Sequence, residues 1–278
     1  MRISRSWNPM LVPKALLVLA VAFLLAPFIV VLGASFDPAT EFHVAFPPRG
    51  ISLGGYETIP WRYAVATGVS LLVGLSVAVL ATLVGTAAAF GLVRGRVVGR
   101  ETLQAFFRLP VQIPFVVTGA VFLQFYYQLA PLTGVNLLDG IGGLVIAHVF
   151  VAIPYSVGSV SAVLARFDPA LEEAAEILGA TRWGTFCQVT LPIIRPGVMA
   201  GAFYAFVVSF GDVPVALFLV AGRWTTLPVQ IFQDMQFDFR PSMLAVSSLV
   251  AVVSLIAIFG VQKLAGFEVA SAREGGKS

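Results

Sequence analysis

Residues 168–192 read DPALEEAAEILGATRWGTFCQVTLP, a polar and charged stretch of 25 residues with long apolar runs on both sides. A compact helical segment between two membrane spans is typical of a docking element, and we interpret the rest of the chain around it. The residues alone leave a second possibility open, which is an interfacial re-entrant segment without a partner.

Two short helices are predicted in this stretch. Asp168 followed by Pro169 favours a helix start, with an aspartate cap and a proline at the first helical position. Glu172 and Glu173 then lie near the positive end of the helix dipole. Gly179 is placed to end the helix with a positive φ. An apolar stripe at helical spacing comprises Ala170, Ala174, Ile177 and Leu178.

The second short helix is predicted to begin after Thr181, whose side chain can cap it. It carries Trp183 and Phe186 on one side. The pair Leu191-Pro192 is expected to stop this helix and to direct the chain into the next membrane span.

Composition places the chain among integral membrane proteins. Of its 278 residues 58% are hydrophobic and 11% are charged, whereas soluble domains carry roughly 25% charged residues. The fold class predicted is therefore all-α, with most of the surface in the lipid bilayer. There is no basic cluster interleaved with aromatic residues, so nucleic acid is not expected as a partner. The single cysteine, Cys187, excludes an internal disulfide.

Six apolar runs reach the length of about 20 residues that a transmembrane helix needs. They cover residues 15–35, 64–93, 109–132, 141–164, 194–220 and 243–262. The first run is longer than the core of a signal peptide and is expected to remain uncleaved. Glycine and alanine recur in the second run, which favours close helix packing and an interior position.

The basic residues predict an orientation. Thirteen of the 17 Lys and Arg residues lie at the two termini, in residues 94–108 and in residues 166–195. Cytoplasmic loops are enriched in Lys and Arg. Both termini and the 168–192 segment are therefore expected in the cytoplasm.

The 168–192 segment resembles the EAA loop of bacterial ABC importer permeases of type I, the MetI-like class. That pattern reads E-A-A-x3-G-x9-[IV]-x-L-P, and every element is present here. The matching residues are Glu173, Ala174, Ala175, Gly179, Val189, Leu191 and Pro192. The resemblance implies that this segment is the coupling helix, which docks on the ATP-hydrolysing subunit through Glu173, Ala174, Ala175, Gly179, Leu191 and Pro192.

The resemblance covers residues 64–264, the expected permease core. Residues 1–63 would form a tail, the first span and an external loop, and residues 265–278 a cytoplasmic tail. The partners implied are an ABC ATPase dimer, a second permease subunit (homologous or a second copy), an extracytoplasmic substrate-binding protein and the bilayer of a bacterial inner membrane. ATP and magnesium would belong to the ATPase, because this chain has no G-x-x-x-x-G-K-[ST] motif.

Residues 209–219, SFGDVPVALFL, and residues 226–231, TLPVQI, are similar to the corresponding region of spermidine/putrescine permeases. The resemblance implies a polyamine substrate. Ferric iron, phosphonate, sulfate and thiamine permeases have related spans and remain alternatives. Neither a metal site nor a catalytic residue is expected in this chain.

Three residues are candidates for the substrate pathway. Asp212 is a lone acid in an apolar run, where a charged residue usually faces a bundle interior or a watery cavity. It could attract a cation, cap a broken helix near Gly211, or pair with Arg223. His148 lies in the middle of the fourth run and is either a hydrogen-bonded core residue or a ligand. Tyr204 could offer an aromatic face to a cation or serve packing.

Two other functional classes would require different residues. A secondary transporter would need ion-coupling acids in several spans, and only Asp212 is available. An intramembrane enzyme would need paired acids, a Ser/His set or a His-rich motif, and Cys187 with His148 forms no such set.

Overall fold

The computed structural model describes residues 11–38, 45–95, 97–138, 140–220, 224–237 and 240–256, and every regular element within these ranges is helical. The helices are α1 (Leu11–Ala34), α2 (Gly54–Glu57), α3 (Trp61–Arg94), α4 (Arg100–Gln112), α5 (Phe115–Thr133), α6 (Ile141–Leu164), α7 (Ala170–Ile177), α8 (Arg182–Thr185), a π-helical turn (Phe186–Thr190), α9 (Leu191–Phe210), α10 (Pro214–Leu219), α11 (Leu227–Phe237) and α12 (Pro241–Ile256).

Five helical segments are long and apolar enough to cross a membrane, and α12 is a shorter apolar helix over its described residues. The five are Val12–Ala34, Trp61–Arg94, Phe115–Thr133, Ile141–Leu164 and Arg182–Phe210. This confirms the all-α membrane class, and the fourth span has the predicted bounds. The end of the predicted sixth span, residues 257–262, lies outside the described residues.

The spans differ in how much of their surface is covered by protein. In the most apolar stretch of α1 no residue is buried, whereas 44% of the residues are buried in α3 and 50% in α6. The glycine-rich second span is thus an interior helix, as its composition predicts. Over its described residues α1 exposes large apolar side chains on all sides, as a membrane-spanning helix does.

The predicted start of the third span at Leu109 is wrong. Residues 109–112 belong to α4, and the membrane-spanning helix α5 begins at Phe115. Ile113 adopts an extended conformation, with φ −86° and ψ 131°. A residue before proline is driven out of the helical region by the proline ring, so Pro114 separates the two helices.

The predicted fifth span, residues 194–220, is also wrong at both ends. The helix that crosses the membrane runs from Arg182 to Phe210 without interruption, and residues 211–213 break it before α10. Pro214 occupies the first turn of α10, where its missing N–H costs nothing. The interval between the predicted fifth and sixth spans contains another helix, α11.

The chain forms two compact units, residues 62–232 and the two flanks that precede and follow them. In the flanking unit one hydroxyl connects three elements. Tyr56 OH lies 2.7 Å from Ser35 Oγ and 2.8 Å from Ser248 Oγ. The end of α1, the short α2 and α12 are therefore joined by hydrogen bonds that remain available in lipid.

In the central unit α3, α6 and α9 approach closely at small residues. A Cβ added at Gly85 on α3 would lie 2.6 Å from Ser156 Cβ on α6, and one added at Gly201 on α9 would lie 3.0 Å from Ser156 Cα. The Ser156 hydroxyl also donates to the Gly201 carbonyl at 3.2 Å. Small residues let backbones approach in lipid, and this packing fixes α9, the continuation of the 168–192 segment.

Candidate functional site

Asp168 bonds to the start of α7, although the N-cap position predicted for it is occupied by Pro169. Asp168 Oδ1 accepts a hydrogen bond from the Ala170 N–H at 3.0 Å. The helix begins at Ala170, one residue later than predicted, because the Pro169 carbonyl accepts the first i→i−4 bond, from Glu173 at 3.2 Å. Pro169 therefore precedes the helix instead of opening it.

The end of α7 confirms the prediction for Gly179. Its φ is +94°, in the left-handed region that favours glycine. The Ala180 N–H donates to the Ala175 carbonyl and the Gly179 N–H donates to the Glu176 carbonyl, both at 3.0 Å. This pair of bonds is the Schellman motif. No heavy atom lies within 4 Å of a Cβ added at Gly179, so the backbone conformation, not crowding, calls for glycine.

Glu172 attaches α7 to the rest of the central unit. Its Oε2 lies 3.2 Å from Arg94 Nη1 at the end of α3, and its Oε1 accepts a hydrogen bond of 2.6 Å from the Thr190 hydroxyl. The Arg94 guanidinium also lies 4.8 Å from the centre of the Phe167 ring. Arg94 and Thr190 were not predicted as partners of Glu172. They are 78 and 18 residues away from Glu172, and no local pattern connects residues at such separations.

The outer surface of the segment is exposed and strongly apolar. Glu173 and Ala174 are exposed and Ala175 is half-buried. Around them Ile177 and Leu178 keep 85% and 88% of their surface exposed. Trp183 is 73% exposed and stacks on Phe186 with ring centres 5.5 Å apart. Ile177 and Leu178 precede the membrane-spanning helix, and exposed apolar surface outside a span marks an interaction site.

The second helix starts as predicted, with Thr181 Oγ1 accepting from the Gly184 N–H at 3.1 Å. The predicted stop at Leu191-Pro192 is wrong. The Leu191 N–H bonds to the Phe186 carbonyl, five residues back, which forms the π-helical turn. Because this turn is wider than an α-turn, it accommodates the ring of Pro192 and lets the helix continue. The second half of the segment, from Arg182 onward, is thus continuous with the membrane helix α9.

Asp212 and His148 come together inside the central unit. His148 Nδ1 lies 2.8 Å from Ser209 Oγ, and His148 Nε2 lies 3.5 Å from Asp212 Oδ2. The same Asp212 oxygen accepts the N–H groups of Val215 and Ala216, at 3.0 and 2.9 Å. Of the alternatives open for Asp212, capping of a broken helix is the one that the structure confirms. Arg223 lies outside the described residues.

The cluster of His148, Ser209 and Asp212 is buried, and the space beside it is too small for a water molecule. Asp212 Oδ1 has no hydrogen-bond partner within the described part of the chain. An unpaired carboxylate oxygen at such a depth is costly and suggests a functional role. Across the described ranges no group of three or more His, Cys, Asp or Glu is arranged to hold a metal.

Tyr204 is not part of this cluster. It lies on α9 with 51% of its surface exposed, and its ring contacts that of Phe203, with centres 6.1 Å apart. The structure therefore brings together two of the three predicted pathway residues. Ser209 is also part of this cluster. It was not predicted from the sequence, although it stands one helical turn before Asp212.

Residues 81–265 match the protein family described as "Binding-protein-dependent transport system inner membrane component". The chain belongs to this family. It is a membrane permease component of an ABC importer, which agrees with the resemblance of its EAA loop. The permease is 32% identical to the sulfate transport system permease protein CysT of Escherichia coli K12, over 73% of this chain and 76% of the relative. It is also 32% identical to the putrescine transport system permease protein PotI of the same strain, over 84% of both chains.

Solved structures show the same fold. A bacterial ABC transporter involved in the import of the acidic polysaccharide alginate superposes with a TM-score of 0.73, over 95% of the permease and 99% of that chain. The sequence identity is 16%, so the likeness establishes the fold and not the cargo.

Proposed function

We propose that the permease imports a polyamine, with ATP hydrolysis supplied by a separate ATPase dimer that docks on residues 168–192. The observation that carries the docking proposal is that neighbouring residues of α7 face different surroundings. Glu172 faces inward and is fixed by Arg94 and Thr190, while Glu173 and Ala174 face outward beside the exposed Ile177 and Leu178. An acidic and apolar surface held rigidly in this way suits a groove on a partner protein.

Within this segment each of the six predicted docking residues has a role. Glu173, Ala174 and Ala175 enter the groove of the ATPase, and Gly179 allows the sharp exit of the chain from it. Leu191 and Pro192 transmit the movement, because they join the segment to α9 through the π-helical turn. Closure of the ATPase pair then moves α9 and drives alternating access.

The distribution of Lys and Arg supports a cytoplasmic position for the segment and for both termini, in the inner membrane of a bacterium. ATP and magnesium would be held by the ATPase and no cofactor by this chain. A second permease subunit, homologous or identical, completes the pathway. An extracytoplasmic binding protein is supported by a similar fold in a bacterial alginate transporter solved with a substrate-bound periplasmic protein, with a TM-score of 0.68.

Two cargo classes compete. The putrescine permease PotI and the spermidine/putrescine permease PotC of E. coli K12 match 84% and 88% of this chain, which supports a polyamine. The sulfate permease CysT is as similar as PotI in identity over a shorter range, which keeps sulfate as the second candidate. Asp212 favours the polyamine, because a buried carboxylate with an unpaired oxygen attracts a cation and repels sulfate.

The cargo is tested by uptake of labelled putrescine and labelled sulfate in cells that express the whole transporter. We expect putrescine to accumulate and sulfate not to. Asp212→Asn keeps an oxygen that can accept the two N–H groups of α10 but removes the charge. Putrescine uptake should fall roughly tenfold, the effect of about 1.4 kcal/mol, at unchanged amounts of permease in the membrane.

Glu57→Gln is the matched control, because it removes one negative charge from an exposed residue that lies outside the membrane spans and outside residues 168–192. If the cells accumulated sulfate and not putrescine, the cargo would be sulfate and the polyamine proposal would be wrong. Normal putrescine uptake by Asp212→Asn would remove Asp212 from the pathway.

A further inference from the structure

A cavity of about 300 Å³ lies in the central unit where the ends of α3 and α6 meet α4. Its walls include the apolar Leu92, Phe107 and Val157, and its polar lining includes Arg100 and Arg108. The volume is at the lower end of the range of roughly 300–1,000 Å³ found for ligand pockets. None of these residues belongs to the 168–192 segment or to the His148–Ser209–Asp212 cluster.

The two faces of α4 differ in chemistry. Arg100, Gln104, Phe107 and Arg108 have the spacing i, i+4, i+7 and i+8, which places them on one face, and all four line the cavity. Phe106, next to them in sequence, is 64% exposed. A short helix with basic and apolar faces next to a membrane span is typical of a segment that lies in the membrane interface.

The two arginines at the cavity are unpaired in the part of the chain that the structure describes. Within the described residues neither Arg100 nor Arg108 forms an ion pair, whereas the nearby Arg94 is paired with Glu172. The Ser161 hydroxyl, also in the lining, is buried without a hydrogen-bond partner. Two free guanidinium groups and a free hydroxyl next to an apolar wall suit an anion that carries hydrocarbon.

We propose that this cavity binds an anionic phospholipid, with the phosphate at Arg100 and Arg108 and an acyl chain along Leu92 and Val157. Basic pockets between transmembrane helices bind such headgroups. The cavity is at the same end of α3 and α6 as the Arg94–Glu172 pair, so the lipid stands beside the base of the 168–192 segment. Its assignment to the cytoplasmic leaflet rests on the proposed orientation. A free sulfate would leave the apolar wall unused, and the arginines would repel a polyamine.

The first test is titration of the full-length purified permease with phosphatidylglycerol and with phosphatidylcholine, read by native mass spectrometry. Arg100→Gln/Arg108→Gln should weaken phosphatidylglycerol binding roughly 30-fold, since each arginine near an anionic lipid contributes a factor of about 5. Phosphatidylcholine binding should not change. Arg166→Gln/Arg182→Gln removes the same charge from residues that are exposed, as Arg100 and Arg108 are, but lie outside the cavity lining, and it should leave phosphatidylglycerol binding within about twofold.

The second test fills the cavity and keeps its charge. A Cβ added at Gly158, in the lining, would meet no atom within 4 Å, and the same holds for Gly91 on α3 outside the lining. Gly158→Leu should abolish selective phosphatidylglycerol binding, and Gly91→Leu should preserve it.

Equal phosphatidylglycerol binding by the wild type and by the arginine and Gly158→Leu variants would overturn the proposal. Displacement of the lipid by millimolar inorganic sulfate would do the same and make the cavity a site for small anions. Because the measurement needs neither ATPase nor transport, its failure leaves the proposed function untouched.

Discussion

At the scale of single residues, two adjacent acids of α7 face different surroundings. Glu172 is three-quarters buried between Arg94 and Thr190, and Glu173 is exposed. The side chains of consecutive residues on a helix point about 100° apart. Glu172 therefore points into the protein, and Glu173 points outward, toward the proposed ATPase. The inner acid therefore holds the segment in place, and the outer one is free to bind.

The Arg94–Glu172 pair should contribute measurably to stability. Both side chains are about one-quarter exposed, so solvent screens the pair and the coupling should be roughly 1 kcal/mol, at the upper end for surface pairs. Arg94→Gln, Glu172→Gln and the double variant form a double-mutant cycle, measured by denaturant unfolding in detergent. If the single effects add within about 0.3 kcal/mol, the pair does not anchor α7.

The sequence predicts well the role of a residue whose bonding partners lie within a few positions along the chain. Gly179 and Thr181 were predicted correctly as caps, and the cap at Asp168 was predicted to within one residue, because a cap bonds to an amide or carbonyl within a few residues. It could not choose between the possible roles of Asp212, since a carboxylate in an apolar run can serve a helix break or a ligand equally well. It gave no indication of the partners Arg94 and Ser209, which only the packing of distant helices brings close.

At the scale of elements, close packing at Gly85 controls how α3 meets α6. An added Cβ would lie 2.6 Å from Ser156 Cβ and 3.1 Å from the Val157 backbone nitrogen. Gly85→Ala should therefore destabilise the protein by roughly 1–3 kcal/mol, as overpacking does. The thermal unfolding midpoint in detergent measures this.

Gly91→Ala on the same helix is the control. Its Cβ would enter open space, and alanine favours a helix by up to about 1 kcal/mol over glycine. The midpoint should rise or stay constant. A fall of the same size in both variants would show that helix composition, not contact with α6, limits stability.

The span boundaries show where apolar patterns stop being informative. The fourth span was predicted to the residue because it is apolar between two polar loops. The start of the third span was not, because Pro114 ends one helix within an apolar run. The start of the fifth was not, because the helix that leads into it continues through Pro192. Whether a proline breaks a helix depends on local geometry, here a π-helical turn, and composition does not encode that.

At the scale of the whole molecule, labelling of the single cysteine can show which way the permease is oriented in the membrane. Cys187 is exposed and lies in the π-helical turn of the 168–192 segment. A membrane-impermeant maleimide should label it in inverted membrane vesicles and not in intact right-side-out vesicles. In a Cys187→Ser background, Thr133→Cys at the exposed end of α5 should show the opposite pattern. Labelling of Cys187 only from outside would reverse the proposed topology.

The central claim is that residues 168–192 couple the permease to ATP hydrolysis, and one comparison tests it directly. Gly179 and Gly134 both end helices with positive φ, +94° and +72°, and an added Cβ is free of contacts at both. Arginine at either position thus carries a similar backbone penalty, about 1–2 kcal/mol. Only Gly179 lies on the proposed ATPase surface.

The measurement is ATP-driven uptake by the reconstituted transporter, with the amount of permease in each preparation held equal. Gly179→Arg should reduce uptake by at least about tenfold, the scale expected when a central interface position is blocked, and Gly134→Arg should retain most of it. Equal uptake by the two variants would contradict the docking role of the segment.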